Sequence, residues 1–146
     1  MDHNKILIAV DNSAYSMKAA RAGFALAHSL HASIGIVFVV SQSNIVNSAD
    51  LGVTPEEQTD ALQNQAGASI QQYIDLYDGI DHVFKFTPQG LPEHEILNIA
   101  KEWKADMIVM GTHARSGLER IFTGSVAEYV IRHAKVPVLI TPPRMK

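Results

Sequence analysis

Met107-Ile-Val-Met-Gly-Thr-His-Ala-Arg-Ser-Gly-Leu-Glu-Arg-Ile-Phe-Thr-Gly-Ser125 holds an apolar run of strand length, a glycine-bearing loop and the approach to a helical pattern that starts at Val126. Strand, loop and helix N-terminus in that order form an anion site: the first N–H groups of a helix lack intrahelical partners and lie at the positive end of its dipole. Glycine at 111 and 124 lets the backbone come close to a ligand where a side chain would clash. The N–H groups of Gly124, Ser125 and Val126 are then the candidate phosphate donors. Two plainer readings stay open, Gly111 as a strand-to-loop turn and Gly124-Ser125 as a helix N-cap.

Outward from this stretch, the same alternation runs through the chain. Ile6–Val10, Ile34–Val40, Val83–Phe86, Met107–Met110 and Val138–Ile140 read as strands. The first, second and fourth are continuously apolar, as parallel strands covered on both faces are. Between them, four sets recur at helical spacing: Met17, Ala20, Phe24 and Ala27; Leu62, Ala66, Ile70, Tyr73 and Tyr77; Ile96, Ile99, Ala100 and Trp103; and Ala127, Val130, Ile131 and Ala134. The order β-α-β-α-β-α-β-α-β predicts an α/β fold with a doubly wound parallel sheet and helices on both faces. Segment 41–58, polar and turn-rich before a Glu-Glu helix start, reads as a long surface loop, either a cover for a ligand or a mobile connection. Residues 142–146 read as a tail.

Composition narrows the function. A chain of 146 residues, 47% hydrophobic, suffices for one domain with its own core over 1–146. A formal charge of −3 offers no basic field for nucleic acid. The chain has no cysteine, which removes thiol chemistry and fits a reducing cytoplasm. The first residues carry no long apolar segment, so no membrane partner is expected and the location expected is cytoplasmic.

In an open α/β sheet a ligand sits beyond the carboxyl ends of the strands, which directs attention to the loops after the first, second and fourth. After the first comes Asp11-Asn12-Ser13, followed by a helix at Ala14. Asp11 is a candidate acceptor for a ligand amine or hydroxyl, with Asp11 or Ser13 as helix N-cap the competing reading. After the second, Val39-Val40 can offer backbone groups to the edge of a flat heterocycle. Of the seven histidines, His28-x-x-His31 and Glu93-His94-Glu95 have partial metal-ligand spacing, but neither supplies a full set. His94 reads as exposed on the first turn of its helix, and Trp103 as packing.

Gly111-x-x-Ala114, nine residues, then Gly124-Ser125 resembles the nucleotide-binding signature of universal stress proteins, Gly-x-x-Gly-x9-Gly-Ser/Thr. The resemblance extends through Ile6-Leu-Ile-Ala-Val-Asp11-x-Ser13, Gly90-x-Pro92-x-x-Glu95-Ile96, Ala105-Asp106-Met-Ile-Val-Met-Gly111 and Ser125-Val-Ala-Glu128 through Val136-Pro-Val-Leu-Ile140. It implies a Rossmann-like sheet of order 3-2-1-4-5, ATP or AMP between the first and fourth strand loops, and a homodimer paired through the last strand near Val136–Thr141. Carried over by position, Asp11 and the Val39 backbone recognise adenine, Gly111 lines the ribose and phosphate pocket, and Gly124, Ser125 and Val126 hold phosphates.

Ala114 departs from the signature, standing where the family has its second glycine. If that position needs positive φ, the added methyl costs roughly 1 kcal/mol and weakens binding about tenfold; at ordinary φ little changes. Arg115 either reaches toward a phosphate in compensation or is simply solvated, and His113 either touches a phosphate or water or is an ordinary loop residue. Hydrolysis needs an oriented water and a metal, yet the loop has no lysine in a Gly-Lys-Ser/Thr arrangement and no clear magnesium carboxylate. Ser125 is a possible Mg2+ contact when ATP is bound, and at most slow ATP hydrolysis is expected. Three function classes follow: a nucleotide-gated stress regulator with an unknown downstream protein partner, an ATP-consuming enzyme, and a dimeric scaffold without nucleotide.

Overall fold

The computed structural model describes residues 4–40, 52, 54–77, 82–112 and 124–142. Nine elements alternate along them: β1 (Lys5–Val10), α1 (Tyr15–Leu30), β2 (Ser33–Phe38), α2 (Pro55–Asp75), β3 (Val83–Phe86), α3 (Pro92–Trp103), β4 (Met107–Gly111), α4 (Ser125–His133) and β5 (Val138–Thr141). The five strands form one sheet of order β3-β2-β1-β4-β5. All four pairings are parallel, with Leu7 of β1 opposite Gly35 on one side and Ile108 on the other. The order is the one the resemblance implies, and the parallel pairing the one the alternation predicts.

Two cores explain why Ile6–Val10 of β1 and Met107–Met110 of β4 are continuously apolar. Ile6, Ile8 and Val10 point into one cluster with Phe24 and Ala27 of α1 and Ile70 and Tyr73 of α2. Leu7 and Ala9 point into the other, with Ile96 and Ala100 of α3 and Ala127 and Val130 of α4. Successive side chains of a strand face opposite ways, so covering both faces makes every inward position of β1 apolar. Leu7, Ile8 and Ile108 are fully buried, and truncating any of them to alanine costs about 2–5 kcal/mol.

The structure corrects several boundaries. Residues 55–58, expected in the long surface loop, are the first turn of α2. Thr54-Pro55-Glu56-Glu57 starts the helix there: Thr54 Oγ1 accepts from the Glu57 N–H at 3.0 Å, and Glu57 Oε1 accepts from the Thr54 N–H at 3.3 Å. This is a capping box with proline at the first helical position, where a missing N–H costs nothing. The remainder of that expected loop, apart from Gly52 and Thr54, lies outside the described residues, as do residues 143–146 of the tail. The second strand ends at Phe38, and Val40 rejoins the ladder only as an isolated bridge to Gln89. Ile131 is 45% exposed rather than on the buried stripe of α4. Ala127 and Val130 already define the buried side of this short helix, and the next residue is rotated about 100° away from Val130. On α1 the fully buried stripe runs through Ser16, Ala19, Ala20, Gly23, Phe24 and Ala27, while Met17 is partly buried at its margin.

Candidate functional site

The fold brings the carboxyl ends of β1, β2 and β4 together with the N-termini of α3 and α4 around a cleft of about 320 Å3. That volume lies at the lower end of the range for small-molecule sites, about 300–1,000 Å3. Its floor is apolar, formed by Ala9, Val37, Ile96 and Met110 on the α3/α4 side of the sheet. A flat ring fits such a floor, and orientation must come from polar groups at the rim.

Asp11 is one of those groups. Its Oδ1 accepts from the Ser13 N–H at 2.8 Å, the Ser13 hydroxyl at 2.6 Å and the Ser16 hydroxyl at 2.9 Å. Ser16 Oγ in turn accepts from the Asp11 N–H at 2.7 Å, and the Tyr73 hydroxyl donates to the Asp11 carbonyl at 2.9 Å. The expected alternative, Asp11 or Ser13 as N-cap of α1, does not hold: the N-cap position is Ala14, in helical conformation and with no side-chain cap. Asp11 instead closes an Asx turn with Ser13, a local bond its short carboxylate makes readily. Together these bonds fix both its rotamer and its backbone, so the carboxylate at the cleft is already oriented. Burial pushes the Tyr73 phenol up from its ordinary pKa, the Ser16 hydrogen bond opposes this, and the negative charge of Asp11 adds to it.

Val39 lines the same cleft. The neighbouring Val40 donates its N–H to Pro88 at 2.8 Å and accepts from Gly90 at 3.0 Å, so its main-chain groups face the β3 side. Along a strand these groups alternate in direction, which turns the N–H and C=O of Val39 toward the β1 side. There the partner strand has stopped: Val10 pairs with Phe38, and Asp11 leaves the sheet. A donor and an acceptor on one backbone thus lie beyond the end of the β1–β2 pairing, in the cleft that Asp11 also lines.

Gly124 sits at the N-cap of α4 with φ 94° and ψ 154°, a conformation reserved for glycine. Its carbonyl accepts from the Glu128 N–H at 2.9 Å, starting the helix. The N–H groups of Gly124, Ser125, Val126 and Ala127 have no intrahelical acceptor by the geometry of an α-helix, and all four residues line the cleft. Gly111 lines it too, but its lack of a side chain answers to a different neighbour. A Cβ there would come within 2.8 Å of the Tyr15 carbonyl oxygen, so packing against the first turn of α1 by itself requires a residue without a side chain.

Six sequence-predicted residues, Asp11, Val39, Gly111, Gly124, Ser125 and Val126, therefore meet at one cleft. Ala114 and Arg115, with His113, lie outside the described residues. Among the described residues no group of three His, Cys, Asp or Glu side chains could hold a metal, and no helix is long and apolar enough to cross a membrane. His94 is exposed as expected, its ring 5.1 Å from that of Tyr129. His31 takes the left-handed position that ends α1. Ser16 and Tyr73 were not legible as site residues from motif spacing. The available signal was a serine on the otherwise apolar buried stripe of α1, since a buried hydroxyl needs a partner.

Residues 3–142 match the universal stress protein family. The chain is 34% identical to universal stress protein YxiE of Bacillus subtilis over 144 residues, which span 94% of this chain and 97% of that one. Among solved structures it is similar to universal stress protein UspA from Lactobacillus plantarum, with a TM-score of 0.75 at 25% identity over 96% of this chain and 98% of that one. A universal stress protein in complex with cAMP shares the fold, with a TM-score of 0.66 at 22% identity over 97% and 98% of the two chains. Matched over nearly its full length by the family pattern and by a relative at this identity, the chain belongs to the universal stress protein family.

Proposed function

We propose that the protein binds an adenine nucleotide, ATP or AMP, in the cleft beyond β1, β2 and β4, and that the bound nucleotide acts as a state signal in a stress response. The observation that carries the reading is the convergence of two unlike recognition elements on one cleft. On one side stand the pre-oriented Asp11 carboxylate and the Val39 backbone pair, suited to the amine and ring nitrogens of adenine. On the other, the α4 N-terminus opens through Gly124 with the N–H groups of Ser125 and Val126, suited to phosphate. A relative of the same fold is in complex with cAMP, also an adenine nucleotide. Ser125 is the residue that would contact Mg2+ accompanying ATP.

The reading makes the protein a regulator with at most slow ATP hydrolysis. Among the described cleft residues, Asp11 is the one carboxylate, and its Oδ1 is engaged by three donors. None of those cleft residues is a lysine. Turnover above roughly 1 per second, an ordinary enzyme rate, would contradict this. The proposed assembly is a homodimer through β5, which stands at the sheet edge with Leu139 38% exposed. An edge strand of this kind pairs readily with its twofold copy. The proposed setting is the cytoplasm, with a protein partner downstream. The test is to denature freshly purified protein, identify released nucleotide by mass spectrometry, and titrate ATP and AMP calorimetrically. Near-stoichiometric adenine nucleotide or micromolar affinity supports the reading; no nucleotide and no heat with either ligand transfers the case to a scaffold without nucleotide.

A further inference from the structure

A second depression, of about 350 Å3, lies at the opposite end of the sheet from the cleft at Gly124, between the C-terminal ends of α3 and α4 and over the starts of β4 and β5. Its volume matches that of the cleft and falls within the range of small-molecule sites. The floor is apolar: Ala100, Ala105 and Ile108 are buried there, and Leu97, Ala134 and Val136 stand beside them partly buried. The rim carries one sign of charge. Lys101, Lys104 and Lys135 line it together with Asn98 and His133, all five exposed, and no described carboxylate does. The acidic residues nearest in the chain, Glu102 and Asp106, are not in the lining, and Asp106 accepts from the Lys5 N–H at 2.8 Å.

Lysines near a helix C-terminus often serve its last carbonyls. Here the backbone closes the ends by itself. The Lys104 N–H donates to the carbonyls of Ala100 and Lys101, the Ala105 N–H to Ala100 at 2.8 Å, and the Ala134 N–H to Val130 at 2.8 Å. None of the three ammonium groups has a hydrogen-bond or ion-pair partner among the described residues. Like charges around one depression repel one another, and a lysine stem can lie along an apolar wall while its head turns to an anion or to water. Both helices end at this site, so it lacks the unpaired N–H groups that the start of α4 offers to a phosphate. A singly charged carboxylate is the head group that such a rim fits.

We infer that this depression binds a small amphipathic anion, an aliphatic monocarboxylate whose chain covers the floor at Ala100, Ala105 and Ile108 and whose carboxylate meets the lysine rim. Burial of the chain supplies affinity, and the lysines select the sign of the charge. The inference is independent of the nucleotide reading, since no residue lines both sites.

The test titrates octanoate into the full chain and follows backbone amides by two-dimensional NMR, with acetate as the probe lacking the chain and octylammonium as the probe lacking the negative charge. The amides of Ala105, Ile108 and Val136 are expected to shift together with half-saturation at about 0.1–1 mM, ordinary for a ligand of about ten heavy atoms, while those of Ser125 and Val126 stay in place. Acetate and octylammonium bind at least about tenfold more weakly. Replacing two exposed lysines, Lys101→Gln with Lys135→Gln, weakens octanoate about three- to twentyfold and leaves the fold intact. No saturation below about 10 mM overturns the inference, as does equal affinity for either control probe or a double variant that binds as tightly as the parent. A shift confined to Ser125 and Val126 also overturns it, because the anion would then sit in the other cleft. None of these outcomes decides the nucleotide reading.

Discussion

The first turns of α2 and α4 solve the same problem in opposite ways. Each helix begins with N–H groups that the helix itself cannot satisfy. In α2 the chain answers locally: Thr54 and Glu57 exchange side-chain hydrogen bonds with each other's backbone, and the helix start is closed. In α4 the N-cap is Gly124, which has no side chain to offer, and the first turn faces a cleft. A capped terminus is worth about 1 kcal/mol of stability. Leaving that contribution out at α4, with a backbone conformation open only to glycine, makes sense where an anion supplies the missing acceptors.

The largest effect that can break this contrast is expected from Gly124→Trp. A φ of 94° is costly for any side chain, about 1–3 kcal/mol, and the indole would crowd the cleft at the start of α4, where the phosphate is proposed to sit. AMP affinity should fall at least about a hundredfold while the circular dichroism of the fold persists. Undiminished binding in a folded variant would place the ligand elsewhere.

Gly111→Ala probes the first signature glycine and should act mainly on stability. Its methyl meets the Tyr15 carbonyl oxygen at 2.8 Å, a backbone atom that cannot rotate aside. Overpacking of this kind costs about 1–3 kcal/mol, seen as a drop in Tm of several degrees. A variant as stable as the parent would refute the claim that α1 is what keeps position 111 free of a side chain.

Thr54→Ala sharpens the contrast from the other side. Removing the closed cap should cost about 1 kcal/mol in denaturant unfolding and leave AMP affinity unchanged.

The smallest effect concerns pH. Burial raises the Tyr73 phenol above its ordinary value near 10, so the folded state holds that proton more tightly than the unfolded chain does. Its contribution is intact below pH 10 and is lost as pH climbs through the folded value. Tyr73→Phe should therefore flatten the alkaline limb of a stability-versus-pH curve; an identical limb in both proteins would remove Tyr73 as its source.

The sequence was most legible where one physical requirement dominates. β1 and β4 read correctly because burial on both faces forces their inward residues to be apolar, and the parallel sheet followed from helix-length crossovers. The strand order came from family likeness, since periodicity does not say which strands are neighbours. The start of α2 was also written in the chain, as Thr54-Pro-Glu-Glu57, but the polarity of the preceding segment masked it. At the site, Gly124 and Ser125 were legible because a helix N-terminus leaves a local signature. Gly111 was legible as a signature glycine, but its close neighbour Tyr15 was not, since closeness between residues so far apart in sequence leaves no local trace. Ser16 and Tyr73 were missed on the same ground. Their roles depend on which polar groups the fold leaves buried and how they are paired, a property of the assembled structure.

The most direct test follows backbone amides by two-dimensional NMR during titration with AMP. The account predicts that the N–H resonances of Ser125, Val126 and Val39 shift and saturate together, while that of Glu57, already bonded to Thr54, stays in place. Binding heat accompanied by unmoved Ser125 and Val126 amides would contradict the claim that the open start of α4 holds the phosphate.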